Sequence, residues 1–290
     1  MSRRGALLFL AVGVIWGVPY FLIRISVREV SPQFLVFART LPATLVVLPF
    51  ALRCSGWGQA LRRWRVIVIY TVAEFAIPWL FLFRAEQHLP SALSGLFIAA
   101  VPLIAVVLLR FTGERERASG TRVIGILIGL AGVIILVGFD VHGGNLIDFG
   151  ELAITAVGYA LGPMMISRYL GDLQPLVVIT LSLALGSLLY APLALTSIPS
   201  HLSAETVASI AGLAFGCTAI GFLAFFALIA EIGPGRATVV TYVNPAVAVL
   251  LGVLALHEHF TVGIAVGFPL VIAGSYFSTR SQPRAVGALK

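Results

Sequence analysis

The stretch Gly13-Val-Ile-Trp-Gly17-Val-Pro19 returns 145 residues later as Gly158-Tyr-Ala-Leu-Gly162-Pro163, and this echo decides the fold. Ala85-Glu86, ahead of Pro90, returns at the same offset as Ala230-Glu231, ahead of Pro234. Pro102 and Pro245 are 143 apart, Glu114 and Glu258 are 144 apart, and Gly125 and Gly132 precede Gly267 and Gly274 by 142. Five landmarks keep one order and drift by only three positions (145 to 142), so the chain reads as two copies of one unit.

Composition gives the solvent for that unit. Hydrophobic residues make up 59% and charged residues 11% of the 290, against about 45–50% and about 25% in soluble domains. No soluble core hides that much apolar surface. A run of about 20 apolar residues crosses a hydrocarbon layer about 30 Å thick, because a helix rises about 1.5 Å per residue. Ten runs qualify, at 5–23, 33–52, 66–83, 91–110, 122–139, 147–167, 174–196, 206–230, 237–256 and 262–279. The first follows Arg3-Arg4 yet reads as a span and not a removable leader, because it is long enough and carries the repeated Gly13/Gly17/Pro19 pattern. The expectation is an all-α integral membrane protein of ten transmembrane helices, with repeats at 1–140 and 146–280 and a cytoplasmic tail at 281–290.

Charge placement orients it. Arg3, Arg4, Arg53, Arg62, Arg63, Arg65, Arg110, Arg115, Arg117, Arg122, Arg168, Arg236, Arg280, Arg284 and Lys290, fifteen of the 19 Lys and Arg, fall in loops on one side. Arg24, Arg28 and Arg84 fall on the other, and Arg39 lies inside a span. The positive-inside rule therefore puts both termini in the cytoplasm. The net charge of +7 reports this topology, and the scattered basic residues form no nucleic-acid surface. Five spans per copy is an odd number, so the second copy crosses in the opposite sense. Inverted repeats of this kind bind solute at their interface and rock to expose it alternately to each side.

Trp16-Gly17 in span 1, Arg39 in span 2, and the repeated order of mid-span proline, Glu-containing pair and Gly-x6-Gly resemble the EamA type of the drug/metabolite transporter superfamily. The pair is Gly113-Glu114 in the first copy and His257-Glu258 in the second, a small departure. The resemblance covers almost the whole chain. It implies an exporter in the bacterial inner membrane for amino acids, aromatic or otherwise neutral, or related metabolites and drugs. The cavity would be lined mainly by spans 1, 3, 4, 6, 8 and 9. Nucleotide-sugar and sugar-phosphate exchangers of the superfamily bind anions, and a cavity holding Glu74 with few inward cations fits them poorly. An intramembrane enzyme or a channel is the alternative of another class.

Glu74 stands near the middle of span 3, where a carboxylate costs at least about 2.5–3.5 kcal/mol on insertion scales. It therefore faces the bundle interior, to bind a substrate ammonium, to carry a proton, or to pair with Arg39 at a depth within roughly 5 Å of its own. Trp16 and Tyr20 share a stripe in span 1 with Gly13, Gly17 and Arg24, and Tyr70 stands one turn from Glu74. Tyr159, Ser94, Tyr242 and Asn244 complete the candidate substrate contacts. Pro19, Pro102, Pro163 and Pro245 each remove a backbone hydrogen bond and are candidate kinks or gates. Carbonyls freed near Pro102 and Pro245 are candidate substrate acceptors. Gly13/Gly17, Gly125/Gly129 and Gly158/Gly162 are spaced for close helix contact.

Other chemistry is absent from the sequence. There is no phosphate loop, no HExxH and no nucleophile elbow. Cys54 and Cys217 have no histidine neighbours, so no metal or cofactor is implied. His257, Glu258 and His259 read as a solvated corner. The implied partners are a small-molecule substrate and membrane lipid, and the chain is expected to be a monomer or a weak homodimer.

Overall fold

A computed structural model describes residues 2–111, 120–140, 145–233 and 237–279. The Gly113-Glu114 pair, Pro234 and the 281–290 tail lie outside these described residues. All regular structure within them is helical.

The chain opens with α1 (Arg3–Ser26), where the Ser2 hydroxyl accepts from the Gly5 N–H, followed by α2 (Pro32–Ala51), capped by Ser31 with Pro32 in its first turn. A short α3 (Trp57–Arg62) leads into α4 (Trp64–Ala85). The next apolar run is broken into α5 (Ser91–Ile98) and α6 (Val101–Phe111). Then come α7 (Gly120–Asp140) and α8 (Leu146–Leu170), the latter opened by a reciprocal Asn145–Asp148 capping box. The remainder is α9 (Pro175–Leu195), α10 (Ala204–Ile232), a 3-10 turn (Thr238–Tyr242), α11 (Asn244–Ala255) and α12 (Val262–Thr279). Among the described residues seven segments are long and apolar enough to cross a membrane, while Val123–Leu136, Val240–Ala255 and Val262–Phe277 are shorter apolar helices.

The main helix contacts follow the repeat. An offset near 145 exchanges α1 with α8, α2 with α9, α4 with α10, α5 and α6 with α11, and α7 with α12. Observed packing pairs α2 with α9, α5 with α11 and α7 with α12, and it matches α4 on α8 with α10 on α1. The α7–α12 contact is made at backbone level: a methyl group on Gly274 would overlap the Gly129 backbone, and one on Gly132 would overlap Gly267 O and Val271 N. The Gly-x6-Gly landmarks are thus the small residues that let two apolar helices touch where burial of apolar surface gives no drive. Leu10, Leu45, Ile134, Leu188 and Leu254 remain exposed on the outer surface, as contact with lipid requires.

Candidate functional site

The site forms where α4 and α10 depart from ideal helix. Pro78 has no N–H for the Glu74 carbonyl, and the turn Val72–Ala76 widens to π geometry, a feature frequent at functional sites. Its neighbours satisfy the backbone groups that widening exposes. The Tyr190 hydroxyl of α9 donates to Ala76 O at 2.9 Å, and Thr155 Oγ1 of α8 donates to Pro78 O at 3.1 Å. In α10 the stretch Gly212–Ile220 is also π-helical, at the level the repeat offset assigns to Glu74, and Thr218 Oγ1 donates to Leu213 O at 2.8 Å.

Aromatic rings pack between these two segments. Phe75 meets Trp79 edge-on at 5.2 Å, Tyr70 at 5.7 Å and Phe222 at 6.0 Å between ring centroids. Phe222 in turn meets Trp16 at 5.7 Å, and Trp16 lies 4.6 Å from Phe225. These edge-to-face geometries suit ring quadrupoles. Tyr20 is buried beside Gly95, and the Trp79 indole faces the Tyr159 hydroxyl. Trp16, Tyr20, Tyr70 and Tyr159, all drawn from the sequence, therefore belong to one cluster or its margin.

Arg39 enters from α2. Its Nε donates to Thr218 Oγ1 at 2.9 Å, and its guanidinium lies 3.8 Å from the centroid of the Trp79 ring. The expected partner was Glu74, but among the described residues Arg39 and Glu74 form no ion pair. A hydroxyl and a ring face hold the charge instead, and neither Nη atom is hydrogen-bonded among the described residues. Glu74 Oε2 is buried and has no hydrogen-bond partner among them. It presses on Gly162, where a methyl group would overlap it, while Gly158 admits Ala73 O and Pro78. The Gly158/Gly162 pattern thus accommodates the wide turn of α4. Its counterpart Gly13/Gly17 packs instead on Val243, Val247 and Asn244 O.

Several expected contacts are occupied elsewhere. Ser94 Oγ donates to its own helix at Pro90 O, 3.3 Å away. The Asn244 amide, turned with its nitrogen toward α1, donates to Gly13 O and Val240 O at 3.1 Å each, which ties two helices together. Tyr242 sits half-buried in the 3-10 turn. Pro102 and Pro245 are each the second residue of a helix restarted after a break, where a missing N–H costs nothing. Two carbonyls at these breaks already have partners: Ala99 O accepts from Ser275 Oγ at 3.0 Å, and Val240 O is taken by Val243 N and Asn244. Pro19 is buried in α1, whereas Pro163 is exposed on α8. Trp79, Phe75, Phe222 and Thr218 were missed, because single aromatics and a threonine in apolar runs carry no spacing signal.

Both ends of the bundle are tied. At the end carrying residue 2, the proximal end, Arg63 grips Asp172 with two bonds of 2.6 and 2.8 Å, and Ser2 Oγ donates to Glu231. Arg63 holds the Asp172 carboxyl below the usual aspartate range. At the distal end Arg84 meets Glu151 at 2.7 Å, His88 meets Asp148 at 3.0 Å, and Ser203 N donates to Glu29 at 2.9 Å. Hydrogen bonds from Ser203 hold the Glu29 carboxyl below its usual range. Glu258 is no solvated corner: it accepts from Ser91 N at 2.7 Å and Ala92 N at 2.9 Å, capping α5. Arg24 Nη1 donates to the backbone oxygen of Glu86. Among the described residues no three His, Cys, Asp or Glu side chains are grouped to hold a metal.

Comparison with known proteins places this arrangement. The sequence model of the EamA-like transporter family matches residues 3–138 and again 151–280. The inner membrane transporter YedA of Escherichia coli K12 is 30% identical over 284 residues, covering 92% of this chain and 90% of its own. A probable amino-acid metabolite efflux pump of the same organism is 24% identical over 292 residues, covering 96% and 95%. A crystal structure with 21% identity superposes with a TM-score of 0.64, over 96% of this chain and 97% of the other, and this likeness concerns the fold.

Proposed function

Because the chain belongs to the EamA-like transporter family, a family of multi-pass membrane transporters, we propose that it exports amino-acid-like solutes from the cytoplasm by alternating access between two inverted halves. In this reading the described helices make ten crossings, both termini face the cytoplasm, and the membrane is the bacterial inner membrane. The excess of basic residues on one side and the exchange of packing pairs under the repeat offset support that topology. The name of the efflux pump relative supports the solute class.

One observation carries the proposal: Arg39 is buried on Trp79 with no hydrogen bond from either Nη among the described residues, and Glu74, whose Oε2 has no partner among them, flanks Tyr159. A zwitterion answers both groups. Its carboxylate accepts from the Nη atoms in the paired geometry guanidinium favours. Its ammonium meets Glu74, and its side chain lies on Trp16, Phe75, Trp79 and Phe222. Opposite charges supplied by one solute remove the cost of two buried groups that have no ionic partner.

The test is counterflow into liposomes holding the purified protein, with radiolabelled neutral and aromatic amino acids. Saturable uptake stimulated by internal unlabelled solute is expected. It falls at least about tenfold in Arg39→Met, the loss of one charge-assisted contact worth about 1.5–3 kcal/mol. No flux of any amino acid refutes the solute class, and unsaturable flux without counter-stimulation indicates a pore.

A further inference from the structure

Glu86 closes α4, and nothing above uses its side chain. It is fully buried, and neither Oε1 nor Oε2 has a hydrogen-bond partner among the described residues. We infer that Glu86 is a proton-binding site that couples closure of the distal end to uptake of one proton. This rests on the alternating-access reading above.

Among the described residues none of the groups around it forms a hydrogen bond or ion pair with the carboxylate. Arg24 and Tyr20 face it from α1, Arg39 from α2, Tyr159 from α8 and Glu258 from the α11–α12 connection. Arg24 is engaged with the Glu86 backbone oxygen, and Arg39 with Thr218 and Trp79. Glu258 is an anion already committed to capping α5, and its charge opposes a second one nearby. An ionised carboxylate left unpaired in such a place costs several kcal/mol, and a carboxyl group escapes that cost by taking a proton. Burial accordingly pushes the Glu86 carboxyl well above its usual range, Glu258 adds to the rise, and Arg24 and Arg39 oppose it.

The repeat supplies a view of the other condition. Glu231 occupies the equivalent position, 145 residues on. It is exposed at the proximal end, accepts from Ser2 Oγ and stands 4.0 Å from Arg4. One landmark glutamate is buried without partners while its copy is solvated and paired. If the halves exchange conformations, Glu86 acquires the solvated setting when the distal end opens. The balance is simple: the carboxylic acid gives one proton to the distal solution on opening and regains one before closing. Glu74 differs, since it stays in the middle of the bundle and has Ala219 as its counterpart.

Infrared difference spectra of the lipid-reconstituted protein test this without any solute. At neutral pH the wild type is expected to show protonated-carboxyl C=O absorption with a component that is lost in Glu86→Gln, persists in Glu74→Gln and shifts in Glu86→Asp. A band unchanged in Glu86→Gln, or no such band at all, overturns the inference. In liposomes, net flux of the wild type should vary with distal pH by up to about tenfold per unit, the limit for one proton, and Glu86→Gln should flatten that dependence. Retention of the wild-type dependence in Glu86→Gln also overturns it. If no amino acid is carried at all, the solute proposal fails and the infrared result still decides the proton site.

Discussion

Gly162 and Glu74 meet so closely that each restricts what the other position tolerates. A methyl group at Gly162 overlaps the Glu74 carboxylate and no other side chain among its nearest contacts. Two effects then compete in Gly162→Ala. Alanine is favoured over glycine inside a helix by about 0.8–1 kcal/mol, and overpacking costs about 1–3 kcal/mol. The net is a loss of roughly 0–2 kcal/mol, or up to about 4 °C in unfolding midpoint at roughly 2 °C per kcal/mol for a chain this long. In a Glu74→Ala background the overlap is gone and only the helix term remains. There Gly162→Ala should raise the midpoint by about 2 °C, so the sign changes. The coupling between the two sites is thus expected at about 1–3 kcal/mol, measured by a double-mutant cycle on thermal unfolding in detergent. If Gly162→Ala has the same effect in both backgrounds within about 0.5 kcal/mol, the usual limit of additivity, the placement of Glu74 against α8 is refuted.

Arg39→Lys keeps the charge but loses the Nε bond to Thr218 and the planar contact with Trp79; half-saturation for the solute should rise about 10–30-fold, equivalent to about 1.4–2 kcal/mol. Gly274→Leu should lower the folded yield through an overpacking cost of about 1–3 kcal/mol at the α7–α12 contact, while Gly138→Leu, with nothing within 4 Å of the added carbon, should not. Glu258→Gln weakens the cap of α5 by about 0.5–2 kcal/mol, so amide exchange over residues 91–94 should quicken about 2–30-fold. The Asp172 carboxyl is lowered by Arg63, so its contribution is present above the ordinary aspartate pKa and is lost as pH falls through the depressed value. Asp172→Asn should remove that acid-side loss, and high salt should shrink the difference from wild type at neutral pH.

Helices were legible because each apolar run has one solution in lipid, and close contact was legible because glycine spacing marks where backbones can approach, though not which helix meets which. The α7–α12 contact shows this directly, with Gly125, Gly129, Gly132, Gly267 and Gly274 all serving it. Pro102 and Pro245 were also visible, as kinks within single spans, where the structure has breaks. What the breaks were for was not: a freed carbonyl looks the same in sequence whether a solute or Ser275 fills it. Arg39 and Glu74 were recognised as the costly residues of their spans, yet depth along a helix axis says nothing of rotation about it. Arg39 turned to a ring face that no spacing rule announces. Glu258 was misread because an acid in a short polar connection looks solvated until the helix start it caps is known.

The duplication makes one further point about the site. Under the 145-residue offset Arg39 corresponds to Ala184, Glu74 to Ala219, Trp79 to Ala224 and Tyr159 to Val14. The wide turns of α4 and α10 occur in both halves, but the charged and aromatic groups attached to that geometry occur once. A symmetric scaffold can present the same space to either side of the membrane. A symmetric set of ligands would offer a solute two equivalent orientations, or two sites. On the proposed reading, with Arg39 and Glu74 both from the first half, a zwitterion finds its carboxylate and ammonium partners in one arrangement only. It follows that one solute should be carried per cycle in a fixed orientation, with the α-substituent always toward the rings of α4 and α10. Binding of two solutes per protein at saturation, read by calorimetry or scintillation proximity, would contradict this division between a doubled frame and a single site.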